Sequence, residues 1–294
     1  MSAEREPELP PIVLAFAATD PTGGTGLTAD LLALASMGCH PLSVVTALTV
    51  QDTLGLESVQ PVDAEAVTEQ ARCVLEDMAV DAFKVGALGS VESVAAVAEI
   101  LSDYPDVPLV LDPVLVSARG DELAGDDMVR AIAELLVPQT TVLVVTGLEA
   151  RRLADSDDDE ESSAAACAAA LIERGCEFVL VTGANEPGRE VINTLYGRDG
   201  VVRTDAWPRL PGTFHGAGGT LAAALAAMLA NGLDMPEAAR EAQDYTWHAL
   251  EKAYRPGMGR FLPDRLFWAR EEREARGDAP EAPQPPEAHA RDAH

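Results

Sequence analysis

The stretch IVLAFAATDPTGGTGLTADLLALASMG, residues 12–38, decides the fold. It opens on seven apolar residues in a row, Ile12 to Ala18. A half-exposed strand alternates apolar and polar positions, whereas a strand buried on both faces reads as a continuous apolar run. A polar, glycine-rich turn follows, and then LTADLLALASMG, whose apolar residues recur at helical spacing and stop at Gly38. Strand, loop and helix in that order form one half of a βαβ unit.

The unit repeats down the chain. Apolar runs begin at Leu42 (LSVVTALTV), Ala82 (AFKVGAL), Pro108 (PLVLDPVLV), Thr141 (TVLVVTG) and Phe178 (FVLVTG). Between them lie the helical patterns AEAVTEQARCVLEDM, SVESVAAVAEILSDY, DDMVRAIAELLV and SSAAACAAALIERG. The alternation predicts a three-layer α/β/α fold with a mostly parallel sheet joined by right-handed crossovers. Two segments depart from it. VINTLYGRDGVVRTDAW sets a Gly-Arg-Asp-Gly turn between two apolar runs and predicts an antiparallel hairpin at the sheet edge. HGAGGTLAAALAAMLANG is a glycine-rich turn opening an Ala-rich helix, and a second long helix is expected from about Pro236 to Tyr254. One folded domain is expected over residues 11–269, with unstructured ends at 1–10 and 270–294. The second of these is rich in Pro, Ala and charge and has too little apolar surface to bury.

Composition narrows the function classes. Of 294 residues 47% are hydrophobic but only 4% aromatic, which predicts an aliphatic core. No run reaches the ~18 apolar residues of a membrane span, and MSAEREPELPP has no secretory pattern. A cytoplasmic protein with no membrane partner is the expectation. Cys39, Cys73, Cys167 and Cys176 show no metal-ligand spacing and read as free thiols. Forty-nine acidic against 21 basic residues give a net charge of −28, which repels nucleic acid and anionic lipid. The acids are spread over the chain, with one dense run at Asp155 to Glu161. Adaptation to high salt explains that spread better than a cationic partner does.

In a parallel sheet, ligands bind beyond the carboxyl ends of the strands, which directs attention to five loops. Thr19-Asp20-Pro21-Thr22-Gly23-Gly24-Thr25-Gly26 offers close backbone approach and a carboxylate acceptor, and reads equally as a turn and helix cap. It is not a Walker A loop, because no Gly-Lys-Ser/Thr follows. Gln51-Asp52-Thr53 brings an amide and a carboxylate able to read a heterocycle edge. Lys84, inside the apolar run Lys84-Val85-Gly86-Ala87-Leu88, calls for a carboxylate partner, in a structural ion pair or a catalytic role. Asp112, before Ser117-Ala118-Arg119-Gly120-Asp121, and Glu149, one strand on, are acids suited to metal-bound phosphate or to helix capping. In His215-Gly216-Ala217-Gly218-Gly219-Thr220, the glycines expose backbone N–H groups at a helix N-terminus and favour an anion, with His215 as a structural hydrogen-bonder.

Taken in order, these segments resemble the hydroxymethylpyrimidine/phosphomethylpyrimidine kinases of the ribokinase-like superfamily. The resemblance runs from about Ile12 to Trp268 and rests on five motifs in register. They are TDPTGGTGLTADL (family TDPSGGAGIQADL), VVTALTVQDTLGLESV, FKVGALGS, VLDPVLVSARGDEL (family VLDPVMVAKSGDPL) and HGAGGTLAAALAA (family HGTGCTLSAALAA). It implies a ribokinase-like fold and ATP- and Mg²⁺-dependent phosphorylation of hydroxymethylpyrimidine and its monophosphate in thiamine synthesis. A homodimer is implied as well. By position, Asp20, Gly23, Gln51, Gly86 and Ala87 correspond to the pyrimidine site and Asp112 and Glu149 to the Mg²⁺–phosphate region. Thr146, Glu149 and Thr182 fall at the nucleotide phosphates, and the backbone of Gly216, Gly218 and Gly219 at the transferred group.

The chain departs from the family pattern at several of these positions. Gly219 stands where the family has cysteine, Thr146 where it has asparagine, Thr182 where it has lysine, Ala87 where it has methionine and Asp52 where it has asparagine. The first three raise a second reading, a non-catalytic relative that binds a pyrimidine-like metabolite. Ala87 raises a third, a kinase with an altered substrate.

Overall fold

The computed structural model describes residues 9–116, 123–155 and 163–270. Ser117 to Asp121, most of the acidic run and nearly all of the C-terminal tail fall outside the described residues.

Among the described residues, eight strands form one sheet in the order β10-β9-β8-β7-β6-β5-β1-β2. They are β1 (Ile12–Ala17), β2 (His40–Val45), β5 (Ala82–Val85), β6 (Leu109–Leu111), β7 (Val142–Thr146), β8 (Phe178–Thr182), β9 (Glu190–Gly197) and β10 (Gly200–Pro208). The strands from β2 to β8 pair in parallel, while β9 and β10 are antiparallel, which places the expected hairpin at the edge. Strand order reverses at β1, which lies between β2 and β5. A crevice therefore opens beyond its carboxyl end, the usual place for a ligand.

The continuous apolar runs resolve into two alternating faces. In β1, Leu14 and Phe16 join a core cluster with α2 (Ala64–Leu75), α3 (Val91–Ser102), α4 (Asp126–Ala131), α5 (Gly147–Ala154) and α6 (Ala164–Glu173). Val13, Ala15 and Ala17 point the other way, into a cluster with α1 (Gly26–Ser36), α7 (Ala217–Ala230) and α8 (Met235–Glu251). Helix α7 is buried from Gly219 to Ala227, and its small side chains let it lie close to the sheet. Among the described residues no helix is long and apolar enough to cross a membrane.

Two expected elements divide. LSVVTALTV is not one strand: β2 ends at Val45, and among the described residues β3 (Ala47–Gln51) pairs with β4 (Leu56–Pro61) in a separate antiparallel sheet. The break falls at Thr46, which is fully buried and turns its hydroxyl to Ala87 O at 2.7 Å while its N–H bonds Ala17 O at 3.1 Å. Val44, Val45, Thr49 and Val50 on either side favour strands, and no Gly, Pro or turn residue marks the change of sheet. Gln51 accordingly belongs to a hairpin, whose turn is held by Asp52 Oδ1 accepting from Leu54 N (2.7 Å) and Gly55 N (3.0 Å). DDMVRAIAELLV also divides, into α4, a π turn at Ile132–Leu136 and a 3₁₀ turn at Val137–Gln139.

A surface carrying −28 repels itself, and added salt screens that repulsion. The melting temperature is expected to rise by several degrees between 0.05 M and 2 M NaCl, read by circular dichroism. A flat response would refute salt adaptation.

Candidate active site

The loop after β1 is organised by its own carboxylate. Asp20 is buried, and its Oδ1 accepts from Thr22 N at 2.8 Å. Its Oδ2 accepts from Thr22 Oγ1 (2.9 Å) and Thr25 N (2.8 Å) and lies 2.9 Å from His215 Nε2. Burial alone would push this carboxyl up, but the hydrogen bonds from His215, Thr22 and Thr25 outweigh it and hold it below its ordinary value. His215 is thus the structural hydrogen-bonder that its sequence setting suggests, and it links the first glycine loop to the second.

The second glycine turn caps α7. Gly216 is the N-cap at φ +95°, and a Cβ there would run into Gly24 O. Only glycine permits both the left-handed backbone and the close approach of the two loops. Thr220 N bonds Gly216 O at 3.0 Å, and the preceding N–H groups of Ala217, Gly218 and Gly219 have no acceptor within the helix. They form a positive concavity suited to a phosphoryl oxygen.

Arg265, 241 residues along the chain from Gly24, clamps the two turns together. It is buried and donates to Gly23 O (3.2 Å), Gly24 O (2.5 Å) and Thr220 Oγ1 (3.0 Å).

Beneath the turns lies a buried charge cluster. Lys84 on β5 points to the α1–α7 side of the sheet, where Nζ is 3.0 Å from Asp30 Oδ2 on α1 and 3.9 Å from Asp112 Oδ2 beyond β6. Burial pulls the Lys84 ammonium down, but Asp30 and Asp112 outweigh it and keep its pKa above the ordinary value. Gly86 makes room for that ammonium, since a Cβ there would stand 2.7 Å from Nζ. A Cβ built on Gly219 would look into the same cluster, 3.6 Å from Thr25 Oγ1, 3.8 Å from Asp30 Oδ1 and 3.9 Å from Asp112 Oδ2. An anion cradle, a carboxylate at a strand end and a buried cation thus meet at the crevice beside β1.

Residues 20–264 match the Phosphomethylpyrimidine kinase family. The chain belongs to that family. The hydroxymethylpyrimidine/phosphomethylpyrimidine kinase of Streptomyces coelicolor is 35% identical over 263 residues, which span 88% of this chain and 96% of the relative. The crystal structure of phosphomethylpyrimidine kinase from Clostridium difficile matches with a TM-score of 0.71 at 26% identity, over 82% of this chain and 99% of the other. Pyridoxal kinase from Staphylococcus aureus, solved with AMP-PCP and pyridoxal, shares the fold with a TM-score of 0.80 at 23% identity, over 90% and 96%. The architecture is ribokinase-like, and the chain is a kinase-type phosphotransferase.

Seen as a phosphomethylpyrimidine kinase, the chain has local structure that explains one of its departures. Thr146 is the N-cap of α5: its hydroxyl accepts from Glu149 N at 3.3 Å, and Glu149 reaches back to Thr146 N at 3.0 Å. Threonine and asparagine both serve at an N-cap, so this replacement keeps the cap. Glu149 Oε1 also accepts from Leu115 N at 3.2 Å, which ties the loop after Asp112 to α5. Thr182 sits opposite Thr146 in the β7–β8 register, two strands from the Asp112 position. Ala87 O receives Ala18 N at 3.0 Å beside the first glycine loop, and Thr49, two residues before Gln51, bonds Thr19 O at 2.7 Å. The glycine loop, the β5 end and the small sheet therefore converge on one side of the crevice, with the β7 and β8 ends on the other.

Thr25 lies in the first of the five loops read from the sequence, whereas Asp30 and Arg265 were missed by sequence reasoning. Asp30 carried a signal: in LTADLLALAS it shares the helical stripe of Leu27 and Leu34, an acid where an apolar residue is expected. Arg265 carried none, since its partners are remote in sequence.

Asp112 gives a pH signature. Burial pushes its carboxyl up to about 7, with Glu149 and Asp30 adding to the rise and Lys84 opposing it. An unfolded aspartate titrates near ~3.9, so between there and about 7 the folded state binds the additional proton. The contribution of this group to stability therefore falls as pH rises through that window. Without divalent ions, Asp112→Asn is expected to melt close to the native chain at about pH 5 and above it at about pH 8. Parallel curves would refute the assignment.

Proposed function

We propose that this chain transfers the γ-phosphoryl group of ATP to the hydroxymethyl group of aminohydroxymethylpyrimidine, and then to the resulting monophosphate, in thiamine biosynthesis or salvage in the cytoplasm. One observation carries the reading: the open first turn of α7 faces Asp112, whose Oδ2 lies 3.9 Å from the Gly219 Cβ position. The names of the curated relatives support the substrate, and the AMP-PCP complex of a pyridoxal kinase of the same fold supports the nucleotide.

Phosphoryl transfer needs positioning and charge neutralisation more than covalent help from the protein. The Gly216, Gly218 and Gly219 backbone receives the transferring group, and Lys84 sets the charge beneath it. Asp20, by rigidifying its loop, works with Gly23, Gln51, Gly86 and Ala87 to orient the pyrimidine, while Thr146, Glu149 and Thr182 border the nucleotide phosphates. A carboxylate just beyond a strand end, beneath the glycine turns, suits Mg²⁺, which is commonly held by one or two carboxylates together with substrate phosphate. Asp112 would hold it, with Glu149 acting through water because both Glu149 oxygens already accept backbone N–H groups. When bound, Mg²⁺ supplies neutralisation of phosphate charge. The exposed Leu48, Val50 and Val59 of the small sheet are the surface for the implied homodimer.

Calorimetric titration tests the pyrimidine site. Aminohydroxymethylpyrimidine is expected to bind, and Gln51→Ala to weaken it by about tenfold through loss of hydrogen bonds to the ring. Equal binding by both proteins would remove Gln51 from the site.

A further inference from the structure

Residues 254–262 form a closed loop that touches two parts of the site at once. Its base is the antiparallel bridge of Tyr254 and Leu262, with Tyr254 N bonded to Leu262 O at 3.1 Å and Leu262 N to Tyr254 O at 2.8 Å. Arg255 donates across the loop to Met258 O. Compact loops with joined ends keep their shape by such internal bonds and frequently carry function. One side is tied to the segment before the α7 turn: Phe261 N bonds Thr213 O at 3.0 Å, and His215 N bonds Phe261 O at 2.9 Å. The other side grips the tip of the small-sheet hairpin. Gly259 N donates to Thr53 Oγ1 at 3.0 Å, and Arg260 N to Thr53 O at 2.9 Å. The approach is close. A Cβ on Gly259 would stand 2.0 Å from Thr53 O, and one on Gly257 would stand 2.9 Å from Thr53 Oγ1. Gly259 lies outside the left-handed region, so it is this approach that calls for glycine.

We propose that the 254–262 loop is a positioning element for Gln51, holding it at a fixed reach from the phosphoryl-binding turn of α7. The inference rests on the reading of Gln51 as a pyrimidine contact given above. Gln51 has an anchor on each side. Two residues before it, Thr49 N and Thr49 Oγ1 donate to Thr19 Oγ1 and Thr19 O of the first glycine loop, at 3.3 Å and 2.7 Å. Two residues after it, the hydroxyl and carbonyl oxygens of Thr53 both accept from the 254–262 loop. Between the anchors the β3–β4 register shifts at Val50 and Gln51, and a shift of that kind disrupts the ladder locally. A two-stranded sheet is also marginal by itself. The anchors therefore supply the constraint that strand pairing lacks at Gln51. Because the same loop bonds Thr213 and His215, and Gly216 follows directly, the hairpin and the anion turn are set in one frame. In a transfer between two bound groups, that frame decides how closely hydroxyl and phosphoryl meet, and small misplacements are costly. The loop acts through Gln51 and takes no part in the chemistry itself.

Calorimetric titration of the native chain, Gln51→Ala, Gly259→Ala and the double variant tests the role, with aminohydroxymethylpyrimidine and, separately, with ATP and Mg²⁺. Gly259→Ala is expected to weaken pyrimidine binding by about tenfold, as Gln51→Ala does, and to leave ATP binding within about twofold of native. The double variant is expected to bind the pyrimidine as Gln51→Ala does, because a loop that acts through Gln51 then has nothing left to position. Additive losses, about a hundredfold in the double variant, would show that Gly259 acts apart from Gln51 and would overturn the proposal. So would a folded Gly259→Ala variant that binds the pyrimidine as the native chain does, or that loses ATP equally. Thr53→Val and Thr53→Ser carry the test if Gly259→Ala fails to fold. Valine removes the acceptor of Gly259 N and is expected to weaken the pyrimidine by about threefold, whereas serine keeps that acceptor and is expected to match the native chain. Valine as tight as native, or serine as weak as valine, overturns the proposal. A Gln51→Ala variant that binds like the native chain removes Gln51 from the site, and a native chain that binds no pyrimidine removes the pyrimidine reading. In either case the role of the loop falls with it.

Discussion

Lys84→Met is expected to lower the melting temperature by about 10 °C. The ammonium stands between Asp30 and Asp112, both buried, at 3.0 Å and 3.9 Å. A buried pair gains little over a well-packed apolar pair, but removing one partner leaves an uncompensated charge and typically costs about 3–5 kcal/mol. For a domain of this size each kcal/mol shifts the midpoint by about 2–4 °C. Methionine keeps the length of the side chain and removes the charge, so the loss reports electrostatics and not a cavity. Calorimetric melting at neutral pH provides the check. A shift below about 2 °C would mean that the two carboxylates are not held by Lys84.

Gly216→Ala is expected to cost kcat about 10²- to 10³-fold, the scale of losing an oxyanion donor. At φ +95° the added methyl meets a backbone already in an unfavourable region, and it points at Gly24 O, which Arg265 holds in place. Neither loop can yield without turning the α7 N–H groups away from the crevice. The effect belongs in kcat, because the cradle serves the transferring group more than the ground state of either substrate. Steady-state kinetics with the pyrimidine alcohol decides the matter. An unchanged kcat would show that the α7 turn does not contact the reacting phosphoryl group.

Much of the fold was legible because burial on two faces leaves a plain mark in sequence. The β1 run shows no alternation, since Leu14 and Phe16 serve one core while Val13 and Ala15 serve the other. The edge hairpin was marked by its Gly-Arg-Asp-Gly turn. The split between β2 and β3 left no mark, because it depends on the bonds of Thr46 to Ala17 and Ala87 on neighbouring strands. The site was legible in its glycine turns and strand-end acids, which local chemistry announces. Which partner each acid takes is a tertiary fact: Glu149 caps α5, and Asp20 binds His215, 195 residues away. Lys84 invited a carboxylate partner, and the fold supplies two, one of them Asp30 on the apolar stripe of α1. Arg265 illustrates the limit, since a lone arginine near the end of the chain gives no hint that it clamps the loop at Gly23 and Gly24 to the turn at Thr220.

Phosphorus NMR of the purified chain with aminohydroxymethylpyrimidine, ATP and Mg²⁺ reads the central claim directly. A phosphomonoester resonance growing in step with ADP is the expected result, followed by the pyrophosphate ester as the second transfer proceeds. An ATP spectrum that stays constant, or loses its γ-phosphate only to inorganic phosphate, would contradict it.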